Sequence, residues 1–186
     1  MSSRLIVNSI RHTGASSDAI TLDSAGKCSF PNGGAGKILQ VKQAFKGNTF
    51  TTTSSSFVDV TGLSVDITPS SSSSKILVKV FVCGNGRAGY ARCSARLLRD
   101  STSIGNSTDA GGRDAAFSQL YDGNDTSNIR FGGIEFLDSP GDTNSHTYKV
   151  QIRNANSTGD VMCINRNYDD LQSRYSSSIT VMEIAA

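Results

Sequence analysis

The side chains that could carry out acid–base chemistry are few and far apart in this chain. Only two histidines occur, His12 and His146, and histidine is the usual acid or base near neutral pH. Neither has a serine or cysteine beside it in the setting of an activated nucleophile. The sequence therefore predicts a protein that is not an enzyme and has no catalytic residues.

Two acidic segments offer oxygen atoms that could bind calcium, the turn from Asp122 to Asp125 and the pair Asp169-Asp170. Neither completes a calcium-loop spacing, so solvated turns are the favoured interpretation. Gly36-Lys37 suggests a phosphate-binding loop, but Pro31 and Ile38 occupy positions where that motif needs glycine and serine or threonine. We expect no metal and no cofactor.

The four cysteines are expected to be reduced thiols that bind no metal. Cys28, Cys83, Cys93 and Cys163 are far apart in sequence and match no zinc spacing. Cys83 and Cys93 would face each other if the strands that carry them form a hairpin. Small buried or half-buried thiols in a reducing cytoplasm are the favoured interpretation.

Arginine and tyrosine are concentrated around residues 87–96. This cluster is open to two interpretations. Arginine and tyrosine are enriched in interface cores, which favours a contact surface for a neighbouring subunit or a receptor. The alternative is a solvated strand face with ordinary charges. The residues concerned are Arg87, Tyr90, Arg92 and Arg96.

The stretch from Lys75 to Arg99 is the centre of the predicted fold. Apolar residues recur at every second position, first in Lys75–Cys83 and then in Tyr90–Arg99. This period of two is typical of a strand with one buried face. Because a glycine-rich link separates the two runs, they are predicted to form an antiparallel hairpin.

About nine or ten short strands are predicted along the whole chain, with turn residues between them and no helical spacing. This pattern is typical of an antiparallel sandwich or jelly roll. Residues 37–186 form the predicted main domain. Residues 1–36 form a predicted N-terminal arm whose short strands cannot enclose a core, and Asn32–Gly36 reads as a flexible linker.

The bulk composition limits the classes of function. The chain has 186 residues with 18 basic and 16 acidic side chains, a formal net charge of +2. Such a near-balance argues against a nucleic-acid-binding protein, which would have a concentrated basic patch. No run is apolar enough for a secretory signal or a membrane span, so neither secretion nor membrane insertion is expected.

Several segments together resemble a known family. In the arm they are Ser3–Ile10, Ile20–Asp23 and Phe30–Asn32. In the main domain they are Phe57–Val65, Ile67–Pro69, Ser74–Val78, Leu97–Ser101, Phe136–Pro140, Thr147–Gln151, Ile164–Arg166 and Ile179–Ile184. These segments, spread over nearly the whole chain, are similar to small tail-fibre-like virion proteins of tailed bacteriophages, notably marine ones.

The resemblance implies a homotrimeric, non-enzymatic virion component that is assembled in the host cytoplasm. Its main domain is expected to be a jelly roll of the C1q and tumour-necrosis-factor type. Two functions follow. The first is a short tail fibre or spike that binds a host-surface receptor or glycan. The alternative is a capsid-decorating protein, a head fibre or cement, with a mechanical role.

Two sets of residues are predicted to make contacts with other proteins. The first set docks the arm onto other virion proteins of the tail or capsid, since its own strands cannot cover these side chains: Leu5, Ile6, Val7, Ile10, Ile20, Leu22 and Phe30. The second set comprises Leu77 and Phe81, two large side chains on the less apolar face of their strand. They are predicted to pack against a neighbouring subunit.

Overall fold

A computed structural model describes residues 7–26, 28–29, 37–86, 92–108, 111–120, 128–156, 159–170 and 173–186. Every regular element in these residues is a β-strand, and all strand pairs are antiparallel. The prediction of an all-β, antiparallel fold is therefore confirmed. Within these ranges, no helix long and apolar enough to cross a membrane is present.

The chain folds as two compact units, residues 1–37 with Ala186, and Ile38–Ala185. The first contains β1 (Ser9–Ile10), β2 (Ile20–Leu22) and β3 (Cys28–Ser29), which form a sheet in that order. Ile10 and Leu22 are exposed on it, whereas Val7 and Ile20 are half-buried. The predicted linker and the predicted docking residues Leu5, Ile6 and Phe30 lie outside the described residues.

The second unit contains the remaining strands of the described chain. In order they are β4 (Ile38–Lys46), β5 (Phe50–Thr52), β6 (Val58–Ile67), β7 (Lys75–Gly86), β8 (Cys93–Arg99), β9 (Thr102–Ser103), β10 (Ser118–Leu120), β11 (Arg130–Asp138), β12 (His146–Asn154), β13 (Met162–Ile164) and β14 (Ser177–Ile184). They form two sheets with a common core.

Sheet I is built around β7. One edge of β7 pairs with β11, and its other edge pairs with β14 and then with β13. β4 pairs with β14, and β5 pairs with β13. The register of the β4–β14 pair places Ile38 opposite Ile184, so the two ends of this unit lie side by side.

Sheet II has the order β10-β8-β12-β6, and β9 also pairs with β8. The β6–β12 register shifts between Lys149 and Gln151, where β6 contains Gly62 with a φ of 87°. Glycine adopts that left-handed conformation without steric cost. The sequence predicts two runs here, Phe57–Val60 and Leu63–Ile67, and the structure joins them into one irregular strand.

The core lies between the facing sides of the two sheets. From sheet I it takes residues at every second position of β7, including Ile76, Val78 and Val80. From sheet II it takes Ala95 and Leu97 of β8 together with alternate residues of β6 and β12. The period-two pattern in the sequence therefore identifies the buried faces of these strands correctly.

The predicted hairpin between the runs that became β7 and β8 is wrong. β7 pairs with β11, β13 and β14, whereas β8 pairs with β9, β10 and β12, so the two strands belong to opposite sheets. Residues 87–91, which join them, are outside the described part of the chain. Alternation shows which face of a strand is buried, but it does not show whether the next strand pairs with it or faces it.

The predicted closeness of Cys83 and Cys93 depends on that hairpin. The Cys83 thiol lies against Asn165 and Ser177, outside the main core cluster, whereas Cys93 belongs to that cluster. Burial raises the pKa of Cys93 to about 12, and Cys163 beside it adds to the effect. All four cysteines are free thiols, and Cys28 is exposed.

A buried polar group joins the two sheets at one end of the sandwich. Asp138, the last residue of β11 in sheet I, accepts hydrogen bonds from Arg99 at 2.6 Å and from the Tyr148 hydroxyl at 2.7 Å. Both donors belong to sheet II. Asp138 is 6% exposed, so these two donors take the place of water around its carboxylate.

Replacing Asp138 with asparagine should destabilise the fold strongly. Asp138→Asn leaves the Arg99 charge without its partner, and breaking a mostly buried pair costs about 3 kcal/mol. Urea denaturation followed by circular dichroism would measure the loss. Arg174→Gln breaks the exposed pair with Asp170 and should cost under about 1 kcal/mol. Equal effects of the two substitutions would contradict this role of Asp138.

Candidate functional site

Exposed apolar side chains cover one surface of the second unit. Because side chains alternate along a strand, residues between the core positions of β4, β7 and β11 point away from sheet II. We call this outer surface of sheet I the apolar face. Its exposed members are Val41, Phe45, Phe81, Phe131 and Leu137, and the half-buried Leu77 lies among them.

Strand register brings the members of the apolar face together in rows. Val41 and Leu77 both lie opposite Met182 on either side of β14, and Leu77 is paired with Leu137. Phe45 and Phe81 likewise flank one residue of β14. This arrangement gathers the apolar side chains in rows on one surface.

The aromatic residues at one end of the apolar face are stacked. The rings of Phe81 and Phe131 are stacked with centroids 5.8 Å apart, and Tyr175 meets the edge of Phe131 at 6.2 Å. Phe45 is 68% exposed, Phe131 is 57% exposed and Phe81 is 47% exposed. Rings with so much exposed area would gain free energy from being covered.

A polar row crosses the middle of the apolar face. Gln43, Thr180, Lys79 and Glu135 lie in register across β4, β14, β7 and β11. Gln43 donates to Thr180 at 2.8 Å, and Lys79 is 3.2 Å from Glu135. The charged row separates the aromatic end of the face from its aliphatic end, which gives the surface a pattern that a partner would have to match.

The outer surface of sheet II is polar instead. Gln151 accepts two hydrogen bonds from Arg96 and donates one to Asp59, which also binds Lys149. Partial burial opposes ionisation of Asp59, but the bonds from Gln151 and Lys149 outweigh it and lower its pKa. The Arg96 guanidinium lies 4.0 Å from the Phe57 ring centroid, a cation–π contact.

An open cavity of about 640 Å³ lies at one end of the same outer surface. We call it the arginine pocket. Its polar lining consists of Arg92, Ser94, Arg113, Asp114, Ser118, Gln119 and Arg153. Gly112, Ala116, Phe117 and Ala155 are the other described residues of the lining.

Two elements position the lining of the arginine pocket. Its floor is a cross-strand row in which Ser94 of β8 lies between Gln119 of β10 and Arg153 of β12. Its wall is the segment 111–117, which is anchored where the Phe117 amide donates to the Ala95 carbonyl at 3.0 Å. Ser94 is only 2% exposed beneath that wall.

A bidentate ion pair fixes one cation of the arginine pocket. Arg153 binds the Asp114 carboxylate through Nε at 2.9 Å and Nη2 at 2.5 Å. The Arg92 backbone is fixed as well, because its amide donates to the Asn154 side chain at 3.2 Å and its carbonyl accepts from Ala155. The described residues of this lining include three arginines and one aspartate, a formal charge of +2.

The structure separates the predicted arginine–tyrosine cluster. Arg92 lines the arginine pocket, whereas Arg96 belongs to the network on Asp59; Arg87 and Tyr90 lie outside the described residues. Sequence reasoning missed Arg113 and Arg153, which reach the pocket from distant segments. It also missed Phe131 and Phe45, although both lie at the outward positions of their strands.

His146 is held between two carboxylates near the start of β12. Its Nδ1 lies 2.8 Å from Asp100 and its Nε2 lies 3.1 Å from Asp142. Partial burial disfavours the charged ring, but the bonds to Asp100 and Asp142 outweigh it and raise the pKa of His146. The charged ring donates to both carboxylates, so it joins two loops to the strand.

The described residues show no cluster of histidine, cysteine or acidic side chains that could hold a metal ion. Asp170 is paired with Arg166 and Arg174. The turn from Asp122 to Asp125 lies outside the described part of the chain. No protein-family model matches this sequence, and no curated protein gives a significant match to it.

The stability of the protein should fall as pH rises above about 6.5, the ordinary pKa of histidine. Since folding raises the pKa of His146, its contribution is fully present below the unfolded pKa and is lost as pH rises through the folded pKa. Urea midpoints measured between roughly pH 5.5 and pH 8.5, a range that spans that pKa, would reveal the slope.

His146→Gln should flatten this slope, because glutamine does not titrate. His12→Gln is the matched control, because it replaces the exposed histidine of the first unit and leaves the contacts of His146 intact. A wild-type slope that survives in His146→Gln would show that another group is responsible.

Proposed function

We propose that this protein is a non-enzymatic structural component of a tailed-bacteriophage virion, a short homotrimeric tail fibre or spike. Its second unit presents the receptor-binding surface, and its first unit docks onto the particle. One observation supports the proposed association between copies of the chain. Among the described residues, all exposed large apolar side chains of the second unit lie on the strands of sheet I.

The order of strand pairing supports a jelly roll of the C1q and tumour-necrosis-factor type. The eight strands that form the main pairs are β4, β6, β7, β8, β10, β11, β12 and β14. Numbered along the chain, the first pairs with the eighth, the second with the seventh, the third with the sixth and the fourth with the fifth. A long hairpin rolled into two sheets has this pairing.

The apolar face supports association between copies of this chain. A monomer that exposes this many apolar side chains on one surface is prone to association. The polar row of Lys79 and Glu135 within the face can pair with its counterpart in another copy, because it contains both signs of charge. The homotrimer follows from the family resemblance and from this surface together.

The exposed apolar residues of the first unit support its role in docking. Ile10 is 50% exposed and Leu22 is 38% exposed on a sheet of short strands. Burying a few such side chains on a partner contributes several kcal/mol at about 25 cal/mol per Å². In a trimer three arms act together through their high effective concentration, which makes attachment long-lived.

A charge on the apolar face should dissociate the trimer. Phe81→Asp places a carboxylate where the proposed interface buries an aromatic ring, and an unpaired buried charge is strongly unfavourable. Multi-angle light scattering at micromolar concentration should return the trimer mass for wild type and one third of it for this variant.

The matched control is Ser64→Asp, which adds the same charge on the exposed outer surface of sheet II and should leave the trimer intact. A wild-type monomer would overturn the homotrimer. A trimer that survives Phe81→Asp would show that the apolar face is not the interface.

Deleting residues 1–33 should give a folded, soluble trimer that no longer joins the virion, since the second unit contains its own core. Incorporation would be measured by complementing a phage that lacks the wild-type gene and probing purified particles. Normal incorporation, or misfolding of the shortened chain, would contradict docking by the arm. Imaging labelled virions separates a tail location from the alternative, capsid decoration.

A further inference from the structure

We propose that each copy in the homotrimer inserts Phe45 into the notch of the next copy, the gap that Gly133 leaves on the apolar face. This inference rests on the proposed homotrimer and deepens it by naming the contact between neighbouring copies. The contact is heterologous, because the inserted ring and the notch are different parts of one surface. Such a contact closes into a ring of three when neighbours are related by a threefold rotation.

One cross-strand row of sheet I contains both partners of the contact. In this row Phe45 of β4 lies opposite Ser178 of β14. Phe81 of β7 comes next, and it is paired with Gly133 of β11. The row begins with the most exposed large apolar side chain of the described residues and ends with a residue that has no side chain. A projection and a gap therefore lie at opposite ends of one row.

The notch is part of an open groove of about 630 Å³ whose lining includes Gly133, Phe81 and Glu135. Phe131 lies two positions before Gly133 on the same face of β11, and its ring stacks on Phe81. A ring that enters the notch would cover exposed area of both aromatic side chains, and aromatic contacts add to the gain from buried area.

The close approach of β7 keeps the notch free of any side chain. A Cβ added at Gly133 would be 2.7 Å from the Val80 carbonyl oxygen, so a larger residue requires a backbone shift. The gap is therefore a fixed feature of the strand pair. An apolar group that fills it must come from outside the sheet.

The directions of the strands let the polar row meet its counterpart at the same contact. Since the pairs β4–β14, β14–β7 and β7–β11 are all antiparallel, β4 and β11 run in opposite directions. Around a threefold axis parallel to the strands, the rows of β4 and β11 from adjacent copies meet in the same order. Gln43 then lies beside Glu135 of the next copy. Its amide group donates one N–H to Thr180 and has a second, which the Glu135 carboxylate can accept.

Disulfide trapping tests the contact without altering Phe45 or Gly133. Gln43→Cys and Glu135→Cys place one thiol on each side of it, in a Cys28→Ser background that removes the exposed native thiol. Within one chain β14 and β7 separate the two positions by about 14 Å, which no disulfide spans. Mild oxidation of the double variant should therefore link different chains and give covalent trimers on a non-reducing denaturing gel.

The two single variants are the matched controls. Gln43→Cys alone and Glu135→Cys alone should not crosslink, because a heterologous contact brings different residues together. Crosslinked dimers from either single variant, or dimers without trimers from the double variant, would show an isologous contact and overturn the proposal.

Phe45→Ala measures what the inserted ring contributes. Since a buried phenylalanine ring favours association, this variant should weaken each contact about tenfold or more, as measured by sedimentation equilibrium. Ile10→Ala shortens an exposed apolar side chain of the first unit and should leave association unchanged. Equal effects of the two substitutions would contradict the role of Phe45.

The mass of the wild-type protein separates this inference from the proposed function. A wild-type trimer whose double cysteine variant forms no crosslink overturns the notch contact and leaves the homotrimer standing. A wild-type monomer overturns the homotrimer and the notch contact with it.

Discussion

The pairing of β7 along both of its edges is the constraint on which the second unit depends. Its backbone bonds β11 along one edge and β14 and β13 along the other, so the strand has no free edge over most of its length. Where β7 passes from β14 to β13, Gly84 lies so close to β13 that an added Cβ would be 2.2 Å from the Cys163 carbonyl oxygen. Only glycine fits there without a backbone shift. One side of this strand contributes to the core, and the other contributes to the apolar face.

Buried carboxylates make hydrogen bonds at the ends of the sandwich, where the apolar core stops. Asp138 joins β11 to Arg99 and Tyr148 of the other sheet. Elsewhere Glu183, fully buried, accepts from the Ser70 amide and hydroxyl and from Gln40. Burial opposes its ionisation, but these hydrogen bonds outweigh it and lower its pKa to about 2. These groups fix how loops meet strands, which hydrophobic packing alone does not specify.

The sequence allowed the strand content and most buried faces to be predicted, because both depend on local alternation. It did not reveal the partners of β7 and β8, since pairing between distant strands has no local signal. The same limit applies to the surfaces. Leu77 and Phe81 can be predicted as contact residues from the alternation within one strand. Their neighbours on the apolar face come from β4 and β11, which are distant in sequence. Arg113 and Arg153 come from distant parts of the sequence and line the same cavity only in the folded chain.

The adjacency of Ile38 and Ile184 has a consequence for how this fold can be rearranged. Since the first and last strands of the second unit are hydrogen-bonded neighbours, a short peptide could join them, and the chain could be opened at a surface loop instead. The strands would keep their partners in such a circular permutant, although their covalent order would change. The fold of the second unit is therefore determined by which strands pair, and not by the order in which the chain connects them.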